Sequence, residues 1–567
     1  MKAKNYFLLL FPLAIIVIYL FELYMIDRKL DSIYDEGYLF LMIQAAHNGS
    51  TDGFSQWPSI VDALFSDKII SSILYLRYAR FFTHLLSVIL FSYVATWYLI
   101  KKKVIDSYRK GLLLVCIIFL LGSFNLGGII IGYNILQEFF LLCIISSFLI
   151  SSTCISSIKY YFYILIGFFF FFSLMTVLPS AILVFLAVLV LIFALNYKNR
   201  KALIVSYLSI CFGVLIAMLI FHLFILDLRV IFHDILKATE TVKHWDAGYD
   251  LPTLVAKLFL YLRDFYMGIN LLLGLIVVCY FVNKFSNCYF AVLLFIFSLL
   301  LFAFYQIKPK MPLTSFLAFP IVLFFLLKLK STSKISLRMI NSYDVLYKVF
   351  LFFLPLLSSI GTNVYLGHKM EFFILPWGLL LVELMYDSKI RATYIKERTL
   401  ILWLFFIIVI FQPFLGIVNE VGHLKDKRYY FRNDSPISRI NLSIQQKKYY
   451  DNVYMIMKSY GYVPTEKVFS TQLDHMTLVA MKAKPNGIYF FPKIFLIDSQ
   501  KSELAKPNFI FLNQNDTKLM CDSIKSLNWG FPEEYDSIYV GSPETINTGY
   551  PMDRTLYCLK RRKIQTN

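Results

Sequence analysis

From Tyr6 to Val418 the chain is built of apolar runs of membrane-crossing length, most of them separated by short polar or basic interruptions. A hydrocarbon core about 30 Å thick takes about 20 apolar residues in helical form. Backbone groups inside it must bond to one another, which commits each run to a helix. Such runs fall near 6 to 26, 78 to 100, 111 to 131, 135 to 155, 160 to 178, 180 to 196, 202 to 226, 267 to 283, 288 to 305, 314 to 328, 349 to 366, 371 to 386 and 399 to 418. They predict a mainly α, polytopic bundle of about thirteen spans. The boundaries between 155 and 196 are the least sharply marked, because Phe168 to Phe172 lead into Pro179 with little polar punctuation. A 58% hydrophobic content with only 16% charged residues, and a mean hydropathy of +0.65, exclude a soluble globular chain with a polar surface.

The formal charge of +19 is topological. Basic residues gather in short loops: Lys101, Lys102 and Lys103 with Arg109 and Lys110; Lys198 with Arg200 and Lys201; Lys328 with Lys330, Lys334 and Arg338; Lys389 with Arg391, Lys396 and Arg398. With the N-terminus inside, all of these fall on one face of the membrane, as the positive-inside rule requires, and no nucleic acid is called for. Lys2 and Lys4 before the first run resemble a secretory signal, but no small-residue cleavage site follows, and the run is read as an uncleaved first helix. Cys116, Cys143, Cys154, Cys211, Cys279 and Cys288 lie in or beside apolar runs as small buried hydrophobes, with no metal-ligand spacing.

This topology puts residues 27–77, 227–266, 306–313 and everything after about 419 outside. The first segment is acidic, with Asp27, Asp31, Asp35, Glu36, Asp52, Asp62 and Asp67, and its apolar stretch from Tyr38 to Ala46 is too short to span. An interfacial helix starting near Gly37 is expected there, holding the preceding acids at headgroup depth. The second segment predicts a juxtamembrane helix from Leu228 to Lys243. The region 419–567 reads as a small extracytoplasmic α/β domain, with helices at Tyr449–Tyr460 and Thr517–Leu527 and strands at Lys467–Thr471 and Phe509–Leu512. Cys521 and Cys558 lie in it, either paired or free.

Residues 31 to 42, Asp-Ser-Ile-Tyr-Asp-Glu-Gly-Tyr-Leu-Phe-Leu-Met, resemble the acidic motif in the first extracytoplasmic loop of the C-type integral-membrane glycosyltransferases, in the branch of the protein O-mannosyltransferases and lipid A aminoarabinose transferases. The span count, the middle amphipathic loop and the terminal outer domain are similar to that plan. The resemblance implies that Asp35, with Glu36 beside it, deprotonates an acceptor hydroxyl, which attacks a sugar carried on polyprenyl phosphate with inversion. The acceptor is a glycan, lipid or protein at the outer leaflet of the bilayer. A bacterial inner membrane is the first expectation, with the N-terminus cytoplasmic and the terminal domain periplasmic; an endoplasmic reticulum membrane is the alternative. Simple capping of the following helix is the competing reading of the pair.

A departing phosphate needs cations at the outer boundary. Lys308 and Lys310 break the positive-inside pattern in a very short outer loop and are the first candidates; Arg77, Arg80, Arg263 and the His368-Lys369 pair form a second tier. Snorkelling to headgroups competes for each. The family's acid at the outer end of the fourth span, which positions the acceptor or a metal, is matched here by Asn134, with Glu138 one turn deeper. That departure leaves a divalent metal unsupported, and no cofactor is assigned. An ionisable Glu138 within a span is costly unless it has a partner or faces water. His233-Asp234 and His244-Trp245-Asp246 are weaker metal candidates, and Gly361-Thr362-Asn363 reads as a helix end. Two other classes remain. A polymerase or ligase of lipid-linked glycans would rely on basic outer loops, and a lipid-linked sugar flippase would need a charged path for which Glu138 and Glu22 are too few.

Overall fold

The computed structural model describes residues 3–27, 33–48, 55–126, 130–154, 157–231, 343–360, 366–386, 429–442, 444–470, 475–485, 506–513, 535–541 and 556–561, with isolated stretches between 252 and 263, between 317 and 324, and at 401, 405 and 409. Within them the protein is mainly helical. Helix α1 spans Ala3–Tyr24, α2 Ile33–His47, α3 Trp57–Leu64, α4 Asp67–Ile70 and α5 Ile73–Lys101. Then follow α6 at Tyr108–Gly122, α7 at Tyr133–Thr153, α8 at Lys159–Thr176, α9 at Leu178–Asn196 and α10 at Arg200–Phe224. Beyond these lie α11 at Tyr343–Ser359, α12 at Leu366–Met370, α13 at Leu375–Met385, α14 at Ile444–Ser459 and α15 at His475–Met481.

Among the described residues, five helices are long and apolar enough to cross a membrane: α5, α7, α8, α9 and α10. The shorter apolar stretches Pro12–Tyr24 and Leu375–Met385 accompany them. The expected spans at 267–283 and 288–305 lie outside the described residues, as do Cys521, the helix at 517–527 and nearly all of 232–254. Where the sequence leaves 155–196 poorly punctuated, the chain breaks at Val177, which is extended (φ −143°, ψ 97°). Pro179 then occupies the first turn of α9, where its fixed φ suits the helix and its missing N–H costs nothing. α8 and α10 cross so closely at Gly167 and Gly213 that a Cβ on either would overlap the backbone of the other helix, at Ile210 and Ile164. Small residues at such a crossing let backbones meet inside lipid. The opposite stripe of α10, Ile204, Leu208, Phe212, Leu215, Leu219 and Leu223, is exposed and apolar, as a lipid-facing surface is. The third run is helical only to Gly122, then tightens into a 3-10 turn over Ser123–Asn125, short of the expected end at 131.

The helix after the acidic pair begins earlier than expected. It starts at Ile33, so Asp35 and Glu36 lie in its first turn instead of ahead of it. It is also no surface helix, since Leu39, Phe40, Leu41, Ile43 and Ala45 are all buried. A helix apolar nearly all round must be covered on several sides. Part of the cover comes from the far end of the chain: at Gly37 a Cβ would lie 2.5 Å from the backbone nitrogen of Met476 and 2.7 Å from the carbonyl carbon of His475. The Tyr38 and His475 rings lie 5.4 Å apart. Asn441 N–H donates to the Asp27 carbonyl at 2.8 Å, and Ile73 N–H to that of Pro436 at 3.3 Å. Residues 435–441 and 475–481 therefore sit on the same side of the bundle as the first loop.

That terminal region carries a five-stranded mixed sheet of β1 Lys467–Ser470, β2 Lys484–Pro485, β3 Phe509–Asn513, β4 Tyr535–Gly541 and β5 Leu556–Arg561, in the order β2-β1-β3-β5-β4. β1 runs parallel to β2 and β3, while β5 is antiparallel to β3 and β4. The expected strands at 467 and 509 and the helix at 449 are in place; β4 and β5 are additions that local composition did not signal.

Candidate functional site

α5 carries Arg77, Arg80 and His84, spaced so that all three fall on one face of a helix with 3.6 residues per turn. All three are buried. Charged groups in such a place need compensation, because desolvating them is expensive. Arg77 finds it in Glu36 of α2: Nε donates to Oε1 at 2.8 Å and Nη2 to Oε2 at 2.5 Å, while Nη1 donates to the Ile26 carbonyl at 2.8 Å. The Ile130 backbone N–H also bonds Glu36. Burial pushes the Glu36 carboxyl above the ordinary carboxylate range, and Arg77, then Arg80, pull it back.

One turn and then two turns deeper, Arg80 lies in the fields of Glu138, Glu36 and Glu22, and His84 Nδ1 stands 2.9 Å from Glu138 Oε2. The other ring nitrogen of His84, Nε2, stands 2.9 Å from the Gly122 carbonyl, at the point where α6 tightens. Neither arginine reaches the surface: Arg77 bonds the Glu36 carboxylate, and Arg80 is buried within the fields of three carboxylates. His84 was not among the residues expected from sequence, although its spacing from Arg77 and Arg80 on one span was a usable signal.

The segment from Ile130 to Asn134 joins this cluster to a second one. Ile131 N–H donates to the Leu76 carbonyl at 3.3 Å, and a Cβ on Gly132 would lie 3.3 Å from Leu39 of α2. The next ring, that of Tyr133, has Lys369 Nζ 4.4 Å from its centroid, with Phe372 and Phe373 at 5.7 and 5.9 Å. Lys369 is 1% exposed, and its ammonium has no hydrogen-bond partner among the described residues. Burial holds its pKa well below the usual lysine range. Asn134 Oδ1, Gln137 Oε1 and Glu138 Oε1, close together on α7, are likewise buried without partners among the described residues. Buried polar atoms are normally satisfied, so a concentration of exceptions calls for a reason.

Of the other expected site residues, Arg263 is exposed and helical. The backbone of Asp35 is described, its side chain is not, and Lys308 and Lys310 lie outside the described residues. Among the described residues no three His, Cys, Asp or Glu side chains gather as a metal site. At the other end of α5, Lys102 bonds Glu383 at 3.5 Å and lies over the Tyr98 and Tyr347 rings at 4.7 and 4.8 Å. The basic loop is thus about 37 Å along the helix from Arg77, at 1.5 Å per residue.

No protein-family model matches the chain, and no curated protein does. Among solved structures it overlaps the Archaeoglobus fulgidus oligosaccharyltransferase tethered to an acceptor peptide, with TM-score 0.42 and 13% identity over 94% of this chain and 73% of that one. It also overlaps the archaeal oligosaccharyltransferase AglB of the same organism, in complex with an inhibitory peptide and a dolichol-phosphate, with TM-score 0.41 and 11% identity over the same shares. Overlap at that level is a coarse likeness of helical arrangement and carries no argument about activity.

Proposed function

We propose that this protein is a membrane glycosyltransferase that moves a sugar from a polyprenyl-phosphate donor to an acceptor at the outer leaflet, with inversion. The observation that carries the reading is the two-point Glu36–Arg77 pair, buried at the start of α2, one residue from Asp35. A residue held that firmly fixes the backbone of its neighbour, and preorganised placement is what a general base requires. Glu36, with both oxygens engaged, serves as the positioning acid, and Asp35 serves as the base.

In this scheme Asp35 takes the proton of the acceptor hydroxyl as its oxygen attacks the anomeric carbon. The bond from that carbon to the phosphate oxygen breaks, and the electron pair leaves with the polyprenyl phosphate. Cations offset the charge that develops there. Lys369 suits that role, being buried beside the segment that touches α2, with an ammonium that has no hydrogen-bond partner among the described residues. Lys308, Lys310 and Arg263 are the further candidates at the outer boundary, whereas Arg77 and Arg80 are occupied by carboxylates. Asn134, whose buried Oδ1 has no partner among the described residues, is suited to orienting the acceptor, and Glu138 acts one turn deeper through His84 and Arg80. The terminal region, packed on α2, shapes the acceptor entrance.

The test is transfer by purified protein in lipid vesicles supplied with polyprenyl-phosphate sugars. Asp35→Asn should nearly abolish transfer with donor binding intact, and Lys308→Gln with Lys310→Gln should weaken donor binding. Wild-type turnover by Asp35→Asn protein would remove Asp35 from the mechanism.

A further inference from the structure

His84 faces two acceptors at once, a carboxylate oxygen through Nδ1 and a backbone carbonyl through Nε2, each at 2.9 Å. A neutral imidazole has only one N–H to donate. The carbonyl of Gly122 has no proton to offer, so Nε2 must carry one. The contact to Glu138 then needs a second proton between Nδ1 and Oε2. The charges around the pair point the same way. From α1 comes Glu22, from α2 Glu36 and from α7 Glu138, all buried; α5 supplies Arg77 and Arg80. Tyr19 of α1 is neutral and donates its own proton to the Phe119 carbonyl. Three carboxylates against two guanidiniums leave one negative charge in a low-dielectric interior, a costly arrangement that a single added proton removes.

We propose that His84 is a doubly protonated positioning residue that holds one proton against Glu138 and thereby keeps the buried cluster neutral and Arg80 shared between Glu138 and Glu36. This rests on the proposed transfer reaction for its consequence but not for its chemistry. With the proton in place, α5, α7 and the end of α6 are tied together beneath the Glu36–Arg77 pair. Without it, Glu138 competes for Arg80, and the start of α2 loses the electrostatic balance that fixes Asp35.

The substitutions separate charge from shape. Glu138→Gln removes the negative charge and the need for the extra proton together. His84→Gln removes the proton carrier and leaves the charge behind. His84→Gln combined with Glu138→Gln is neutral again. Nitrogen-15 spectra of histidine-labelled protein in detergent read the proton directly. The His84 signals are assigned by their loss in His84→Gln, or by replacing the other histidines if that variant does not accumulate. Two protonated ring nitrogens at neutral pH in the wild type, and a neutral ring in Glu138→Gln, are expected; a neutral His84 ring in the wild type would overturn the proposal. The second readout is transfer. His84→Gln should lower it by about tenfold, a typical size for coupled buried pairs, and the double variant should recover part of that loss. A double variant no better than His84→Gln alone, with the same pH profile, would reduce His84 to packing. Because the spectra need no turnover, an absence of transfer in every variant and in the wild type would count against the proposed reaction while the protonation result stood by itself.

Discussion

Arg77 holds Glu36 by both carboxylate oxygens, at 2.8 and 2.5 Å, with the two side chains 1% and 0% exposed. The pair joins α2 to α5, the longest helix among the described residues, across forty-one positions in sequence. Its strength lies in what breaking it leaves behind. Arg77→Met alone strands a buried carboxylate and should cost about 3–5 kcal/mol, whereas Arg77→Met with Glu36→Gln should recover much of that. Thermal unfolding in detergent measures both; equal losses would mean the pair is not a coupled unit.

Gly37 has no room for a side chain. Alanine ordinarily favours a helix by about 1 kcal/mol over glycine, but here its Cβ meets the backbone of His475 and Met476, which cannot turn aside. Gly37→Ala should therefore destabilise by about 1–3 kcal/mol, as overpacking does. The loss should appear as faster proteolysis within residues 429–485 at unchanged cleavage of the inner loops. Stabilisation by Gly37→Ala would show that α2 and α15 are loosely apposed.

Lys369 predicts a proton taken up on donor binding. Burial lowers its pKa, so Lys369 gives up its proton at a lower pH than an exposed lysine does, and a phosphate beside it favours the charged form. Donor affinity should then rise as pH falls through the folded pKa and weaken as pH increases. Lys369→Met should bind the donor less tightly and lose that pH dependence. The measurement is polyprenyl-phosphate binding across a pH series, and an unchanged pH slope in Lys369→Met would place the phosphate elsewhere.

The docking of the terminal region on the first loop fixes a topological expectation. Single cysteines at Ser32 and Ser502 should both react with a membrane-impermeant reagent in spheroplasts, and one at Ser107 should not. Protection of Ser502 alongside a reactive Ser32 would contradict the contacts of His475 and Met476 with Gly37.

Periodic apolar length was enough to predict α5, α7, α8, α9 and α10 nearly to their ends, because a span in lipid has no alternative to the helix and its length is set by the bilayer. The placement of the terminal strands at 467 and 509 was also legible, from local composition. What the chain alone offered about the site was narrower: an acidic pair, Asp35 and Glu36, and a set of cations expected near the outer boundary. Their partners came only from the tertiary structure. Arg77 and Arg80 read in sequence as phosphate-binding candidates, and became the counterions of Glu36 and Glu138, because a buried charge takes whatever opposite charge the packing brings within reach, at any separation along the chain. Lys369, read in sequence as a second-tier phosphate candidate with snorkelling as the competing reading, turned inward over Tyr133. α2 began a turn early and sank beneath residues more than four hundred positions away. No periodicity encodes such contacts, since each depends on which helices meet and at what depth, and it is that meeting which decided that Glu36 is held by both its oxygens at the buried start of α2.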